Sequence, residues 1–244
     1  MNAVKILFLK EVKSYLSNSM TYIAAGIFSF VLGLLFFHSL MLSKGTYQSQ
    51  ITLQAMRPIF GNINLLMIFI SPLITMKLFS EEKKLGTLNL LFTCPIHHWQ
   101  ILLGKFLAAY FVTVLIASLS IIFPVILAIA GYSNWPVVLS SYLGLFLNLF
   151  CFTSVGVFAS SLTKNQFLAV IITFAILFSS LILMISASSI KDPLFSQFLQ
   201  YFSIAFHYEG FSRGVIKNYN LFYFLGAGVY FHFLTTKSLD SRNW

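Results

Sequence analysis

Long apolar runs, separated by short islands of Lys, Arg, Asp and Glu, make up almost the whole chain. A charged side chain at the centre of a membrane span costs about 2.5–3.5 kcal/mol on the insertion scale. The charge-free runs therefore mark spans, and six are expected, over about 21–42, 60–78, 101–130, 137–161, 167–187 and 219–236. From Phe106 to Thr163 no charged residue occurs over 58 positions. That is too long for one helix across a core about 30 Å thick. Gly131-Tyr-Ser-Asn-Trp-Pro136 carries the turn chemistry that divides it. The runs are unbroken rather than alternating with period 2, so the spans are helices and not barrel strands.

Two segments fit neither span nor plain loop. In residues 2–19, Val4, Phe8, Val12, Tyr15 and Leu16 share one helical stripe, and Lys10, Lys13, Ser14 and Ser17 fall on the other. This predicts an amphipathic interfacial helix leading into the first span. The following run, Met20–Leu42, is too long for a signal peptide and lacks a small-residue cleavage site, so it is expected to stay as a span. Residues 190–218 carry Phe195, Phe198, Leu199, Phe202, Ile204, Phe206 and Phe211, with turns expected at Gly210 and Gly214. The stretch is too short for two spans and too apolar for a solvated loop. A re-entrant hairpin on the outer side is expected, holding Tyr208, Glu209, Gly210 and Arg213. Ionisable side chains near an intramembrane cavity are candidates for function.

Composition agrees with this class. The chain has 244 residues, 58% hydrophobic and 9% charged, against about 25% charged in soluble domains. The net charge of +9 is spread over separate loops rather than one interleaved patch, which argues against nucleic acid. With the N-terminus inside, ten Lys and Arg fall on the inner side and five on the outer, so both termini are expected in the cytosol. Trp99, Trp135 and Trp244 fall near expected span ends. Cys94 and Cys151 lie at different depths and predict no disulfide, and neither they nor the five histidines have metal-ligand spacing. No repeat and no soluble domain is visible, so residues 1–244 read as one transmembrane domain.

The densest polar island is Phe79-Ser-Glu-Glu-Lys-Lys-Leu-Gly-Thr-Leu-Asn-Leu-Leu-Phe-Thr-Cys-Pro95. Ser80 is expected to cap a short helix that opens with Glu81 and Glu82. Gly86 stops it, Thr87 caps a second short helix over Leu88–Phe92, and Pro95 ends that one. The product is an elbow at the cytosolic face. Two adjacent acids do nothing for the positive-inside rule, so the elbow is expected to be gripped from the cytosol by something that moves the protein. Lys105, at the inner end of the third span, reads as a snorkelling residue.

Glu81-Glu82-Lys-Lys-Leu-Gly86-Thr87-Leu88, then Leu90-Leu91, Pro95 and Gly104-Lys105, resembles the ABC-2 type permease family. Lys10-Glu11-Val-Lys-Ser-Tyr15, Phe211-Ser-Arg-Gly214 and Ser238-Leu-Asp-Ser-Arg-Asn-Trp244 resemble its gliding-motility-type branch. The resemblance covers essentially the whole chain and departs at Asn220, where an acid is expected. It implies a half-transporter in a bacterial cytoplasmic (inner) membrane. Six helices would pair with those of a second permease, identical or different. Each permease would rest on a separate ATP-binding cassette ATPase through the N-terminal helix and the elbow residues Glu81, Glu82, Gly86, Thr87 and Pro95. The outer hairpin would close the top of the pathway.

An intramembrane protease with paired glutamates would need an Arg closely after them, whereas Glu81-Glu82-Lys-Lys-Leu is followed by Gly86, and histidines spaced as ligands, which His38 and His232 are not. A stand-alone carrier or channel would need more ionisable residues in its spans. No GxxxxGK[ST] occurs, and Gly104-Lys105-Phe106 lacks both the upstream glycine and the hydroxyl. The chain is therefore expected to hold no cofactor and to catalyse nothing, with ATP bound by its partner. The charge-free spans suit an amphiphilic, lipid-linked or polymeric cargo.

Overall fold

The computed structural model describes residues 3–42, 56–87, 97–129, 131, 134–190 and 192–241, and these form helices with no strand among them. We label them α1 (Ala3–Leu16), α2 (Ser19–Leu42), α3 (Arg57–Thr75), α4 (Lys77–Leu85), α5 (His98–Ser118), α6 (Ile122–Ile129), α7 (Trp135–Leu162), α8 (Gln166–Ser189), α9 (Pro193–Phe202), α10 (Ile204–Ser212) and α11 (Asn218–Asp240). Five helical stretches are long and apolar enough to cross a membrane: Ser19–Leu42, Arg57–Leu85, His98–Ile129, Trp135–Leu162 and Gln166–Ser189. The sixth expected span is helical too, as α11. His232, Thr235, Thr236 and Lys237 dilute its apolar run, and it is not one of the five.

Breaks within the long stretches have local causes. Pro72 lies inside α3, and the helix passes through Met76 into α4 with the Met76 amide still bonded to the Pro72 carbonyl. The Thr75 hydroxyl donates to the Ser71 carbonyl beside it. Between α5 and α6, Leu119–Ile121 tightens to a 3₁₀ turn just ahead of Pro124. Pro cannot donate to the preceding turn, and at both sites the helical stretch is interrupted but continues.

Helix α7 is the central column. It packs against α3, α4, α5, α8, α10 and α11. Its sequence explains why, because Gly144, Ser154, Gly156, Ser160 and Ser161 keep its faces thin. In lipid there is little hydrophobic drive between helices, so close approach of small residues supplies the packing. A Cβ built on Gly156 would lie 2.0 Å from Thr75 Oγ1 on α3. A Cβ built on Gly228 of α11 would lie 2.0 Å from the Phe150 ring on α7. By contrast, only 22% of the apolar window of α2, and the same share of α8, is buried in the chain.

Helix α1 packs along α5 and touches α2. Leu7 and Tyr15 are its buried positions, while Ile6, Leu9 and Leu16 remain exposed. Of the expected apolar stripe, Tyr15 is thus buried and Leu16 is not. Apolar positions continue round the helix instead of stopping at one face.

Substituting Gly156 with Val should force α3 and α7 apart at Thr75. Overpacking of this kind costs about 1–3 kcal/mol, so the midpoint of thermal unfolding in detergent should fall by several degrees. Gly26→Ala, where nothing lies within 4 Å of the new Cβ, should leave it unchanged.

Candidate functional site

The elbow begins as a continuation of α3 rather than as a separate capped helix. Ser80 lies buried inside α4 and donates its hydroxyl to the Met76 carbonyl, one turn back, so it caps nothing. The amides that a cap at Ser80 would serve, those of Glu82 and Lys83, lie inside α4, where the helix itself supplies acceptors four residues back. Glu81 and Glu82 therefore lie beyond the first turn of α4. Gly86 does stop the helix, at φ +71, where any side chain would be strained. Thr87 donates weakly to the Glu82 carbonyl at 3.4 Å. The second short helix and Pro95 lie outside the described residues.

The side chains around α4 converge on one cation. Lys105 of α5 is 2% exposed, and its Nζ lies 2.8 Å from Oε1 of Glu11 on α1 and 2.8 Å from Oε1 of Glu82 on α4. It also stands 5.6 Å from the Phe79 ring centroid. Lys105 is not snorkelling to water, since it is enclosed and neutralised. Withdrawing an ammonium from water costs several kcal/mol, and only close carboxylates offset that. The three residues come from three helices far apart in sequence, so the pairing clasps α1, α4 and α5 together.

Further bonds fasten the same end of the bundle. Lys83 donates to the Ser161 carbonyl on α7, and Ser238 on α11 reaches that carbonyl at 3.3 Å. Tyr15 donates its phenol to the Ile74 carbonyl at 2.9 Å. Burial, with Glu11 and Glu81 nearby, raises the Tyr15 pKa well above its usual value, so the phenol stays a donor. Between α1 and α4 is a cavity of about 570 Å³ whose lining includes Lys10, Glu11, Lys77, Glu81, Glu82 and Lys105. Oε2 of Glu82 is buried and makes no hydrogen bond within the described residues.

About 28 Å away along α3, by its rise per residue, the other end has its own ion cluster. Glu209 Oε1 accepts from both Arg57 and Arg213. Tyr208 is buried and donates to the Phe60 carbonyl at 3.3 Å. Gly210 is helical and makes no turn; what it permits is the approach of Asn220, whose Nδ2 would lie 2.9 Å from a Cβ there. The turn falls at Gly214, with φ +84. Asn220, at the position where an acid was expected, pairs with His207 Nδ1 at 2.8 Å. The two arms of the expected hairpin differ. Helix α10 packs against α3, α7, α8 and α11, while α9 buries no residue.

The structure thus brings Glu81 and Glu82 to one end and Tyr208, Glu209, Gly210 and Arg213 to the other. Glu11 and Arg57 complete the two clusters. Sequence reasoning missed Glu11 as a site residue; the scarcity of acids, six in the chain, points to it only once Lys105 is seen to be buried. Among the described residues no three His, Cys, Asp or Glu side chains group as metal ligands. Cys151 is a buried free thiol, and Cys94 lies outside the described residues.

These features define a multi-pass helical membrane protein with a charged clasp at one end. The chain belongs to the ABC-2 family transporter proteins, whose family model matches residues 6–225. Members of that family are membrane components of ABC transporters, which work with separate ATPase subunits. Comparison with curated proteins gives no match.

Replacing Lys105 with Met should strand two carboxylates at the clasp and cost about 3–5 kcal/mol, read as a large fall in detergent thermostability. The triple variant Glu11→Gln, Glu82→Gln, Lys105→Met removes all three charges and should recover most of the loss. Equal stability of the single variant and the parent would show that the clasp holds nothing.

Proposed function

We propose that this chain is the permease subunit of an ABC exporter in a bacterial cytoplasmic membrane. In this reading α11 is the sixth span, both termini face the cytosol, and the hairpin α9–α10 dips into the bilayer from outside. Two permeases, identical or different, each rest on an ATP-binding subunit through α1 and the elbow. The end motifs Lys10–Tyr15 and Ser238–Trp244 favour the gliding-motility-type branch.

The observation that carries this reading is the clasp, within a chain that the family covers from residue 6 to 225. A push on α4 from outside the membrane reaches α5 and α1 through Lys105, and α3 by helix continuity. The clasp therefore converts the surface contact of an elbow into motion of two spans. Glu81, on the cavity wall and outside the clasp of Glu11, Glu82 and Lys105, is the acid that meets a basic groove on the ATPase. Glu82 acts from inside, by holding Lys105. The ten-to-five bias of Lys and Arg supports the cytosolic placement of the elbow.

The purified chain should hydrolyse no ATP above background and should co-purify with an ATP-binding subunit when its operon is expressed whole. In that complex Glu81→Ala should lower hydrolysis about fivefold or less, as a rim contact worth about 1 kcal/mol implies, with thermostability unchanged. Glu82→Ala should lower both. Cysteines at Lys84 should label only from the cytosol and at Lys217 only from outside; the reverse pattern would overturn the topology.

A further inference from the structure

The end of the bundle remote from Lys105 contains an open cleft that the coupling reading does not use. Arg57, at the start of α3, forms its mouth together with Glu209 on α10. Two guanidinium groups, from Arg57 and Arg213, share the single carboxylate of Glu209. One positive charge is left over at this mouth. An anion is the group this mouth is short of.

Below the mouth the cleft changes character. It has a volume of about 280 Å³, and Leu65, Leu181 and Met184 form an apolar wall from α3 and α8. Leu65 is 49% exposed, so that wall continues onto the outside of the bundle. Asn64 stands about 10 Å deeper than Arg57 along α3. It accepts from Asn148 of α7, whose own Oδ1 is buried and has no partner among the described residues. A small hydrophilic anion has no use for the leucine and methionine wall, and a hydrocarbon has none for Arg57. The volume is near the lower bound of ligand pockets, about 300–1,000 Å³. It takes a headgroup and the first part of a chain, the rest lying in the bilayer.

We propose that this cleft binds an anionic amphiphile, a phosphate-type headgroup on an alkyl chain, drawn from the leaflet at the hairpin end. Arg57 takes the anion, and the chain runs along Leu65 and Leu181. The headgroup competes with Glu209 for Arg57, while Glu209 keeps Arg213. Calling that amphiphile the cargo rests on the permease reading; the binding itself does not.

The test uses the purified chain in phosphatidylcholine nanodiscs doped with diazirine-tailed phosphatidylglycerol or diazirine-tailed phosphatidylcholine. Photolabelling of the peptides containing Leu65 and Leu181 is read by mass spectrometry. Phosphatidylglycerol should label about fivefold more than phosphatidylcholine, the ratio that about 1 kcal/mol of partly exposed charge pairing gives. Arg57→Gln should bring labelling down to the phosphatidylcholine level, and Arg57→Lys should keep most of it. Glu209→Gln removes the competing carboxylate and should raise labelling, which keeps the test open should Arg57→Gln misfold. Excess glycerol phosphate should displace little of the probe. Equal labelling by the two lipids, indifference to Arg57→Gln, unchanged or lower labelling in Glu209→Gln, or full displacement by glycerol phosphate would each overturn the proposal. Failure here leaves the permease reading standing. Failure of an ATP-binding subunit to co-purify sinks that reading and leaves the labelling result intact.

Discussion

A lysine ammonium with 2% exposure in a chain of very few charges is the constraint around which one end of this protein is arranged. Burying such a cation is costly unless close partners offset the lost hydration. Two of the six acids of the chain do so, Glu11 from α1 and Glu82 from α4. Their arrival fixes where α1 lies against α5 and how α4 leaves the end of α3. The Tyr15–Ile74 and Lys83–Ser161 bonds then have only to hold positions already set.

The rest of the bundle is built differently, from shape rather than charge. Helix α7 gathers its neighbours through glycine and serine faces, and the contacts at Gly156 and Gly228 leave no room for a methyl group. Many interior hydroxyls return to carbonyls one turn back, as at Thr75, Thr153 and Ser154, while a few polar pairs such as Asn148–Asn64 and His207–Asn220 join neighbouring helices. The hydroxyl bonds satisfy a polar group locally and ask nothing of a neighbouring helix. A stiff bundle with charged clasps at its two ends is suited to carrying a displacement from one end to the other.

Much of this was legible in the sequence because charge is so costly in a membrane. The edges of the long runs placed α2, α3, the α5–α6 stretch, α7 and α8 within a few residues. Gly86 declared the end of α4 because little else tolerates its φ. The N-terminal helix was visible as a pattern, although its partner α5 was not. What stayed hidden is pairing across distance. Ser80 has the local signature of a cap, and only the continuous helix through Met76 removes that role. Lys105 looks the same in sequence whether it snorkels to water or is enclosed by Glu11 and Glu82. The Arg57–Glu209 contact joins positions 152 apart, and nothing in the local pattern at either residue points to the other.

In the proposed mechanism the clasp makes α1, α4 and α5 move as one body. Ser17 on the chain leaving α1 and Lys77 at the start of α4 line the same cavity. Cysteines at these two positions, in a background without the native ones, can be joined by a short bifunctional maleimide in the assembled complex. Joined and unjoined complexes should hydrolyse ATP at the same stimulated rate, because the linker spans parts that do not separate. Loss of stimulation on joining, restored when a cleavable linker is cut, would contradict the mechanism.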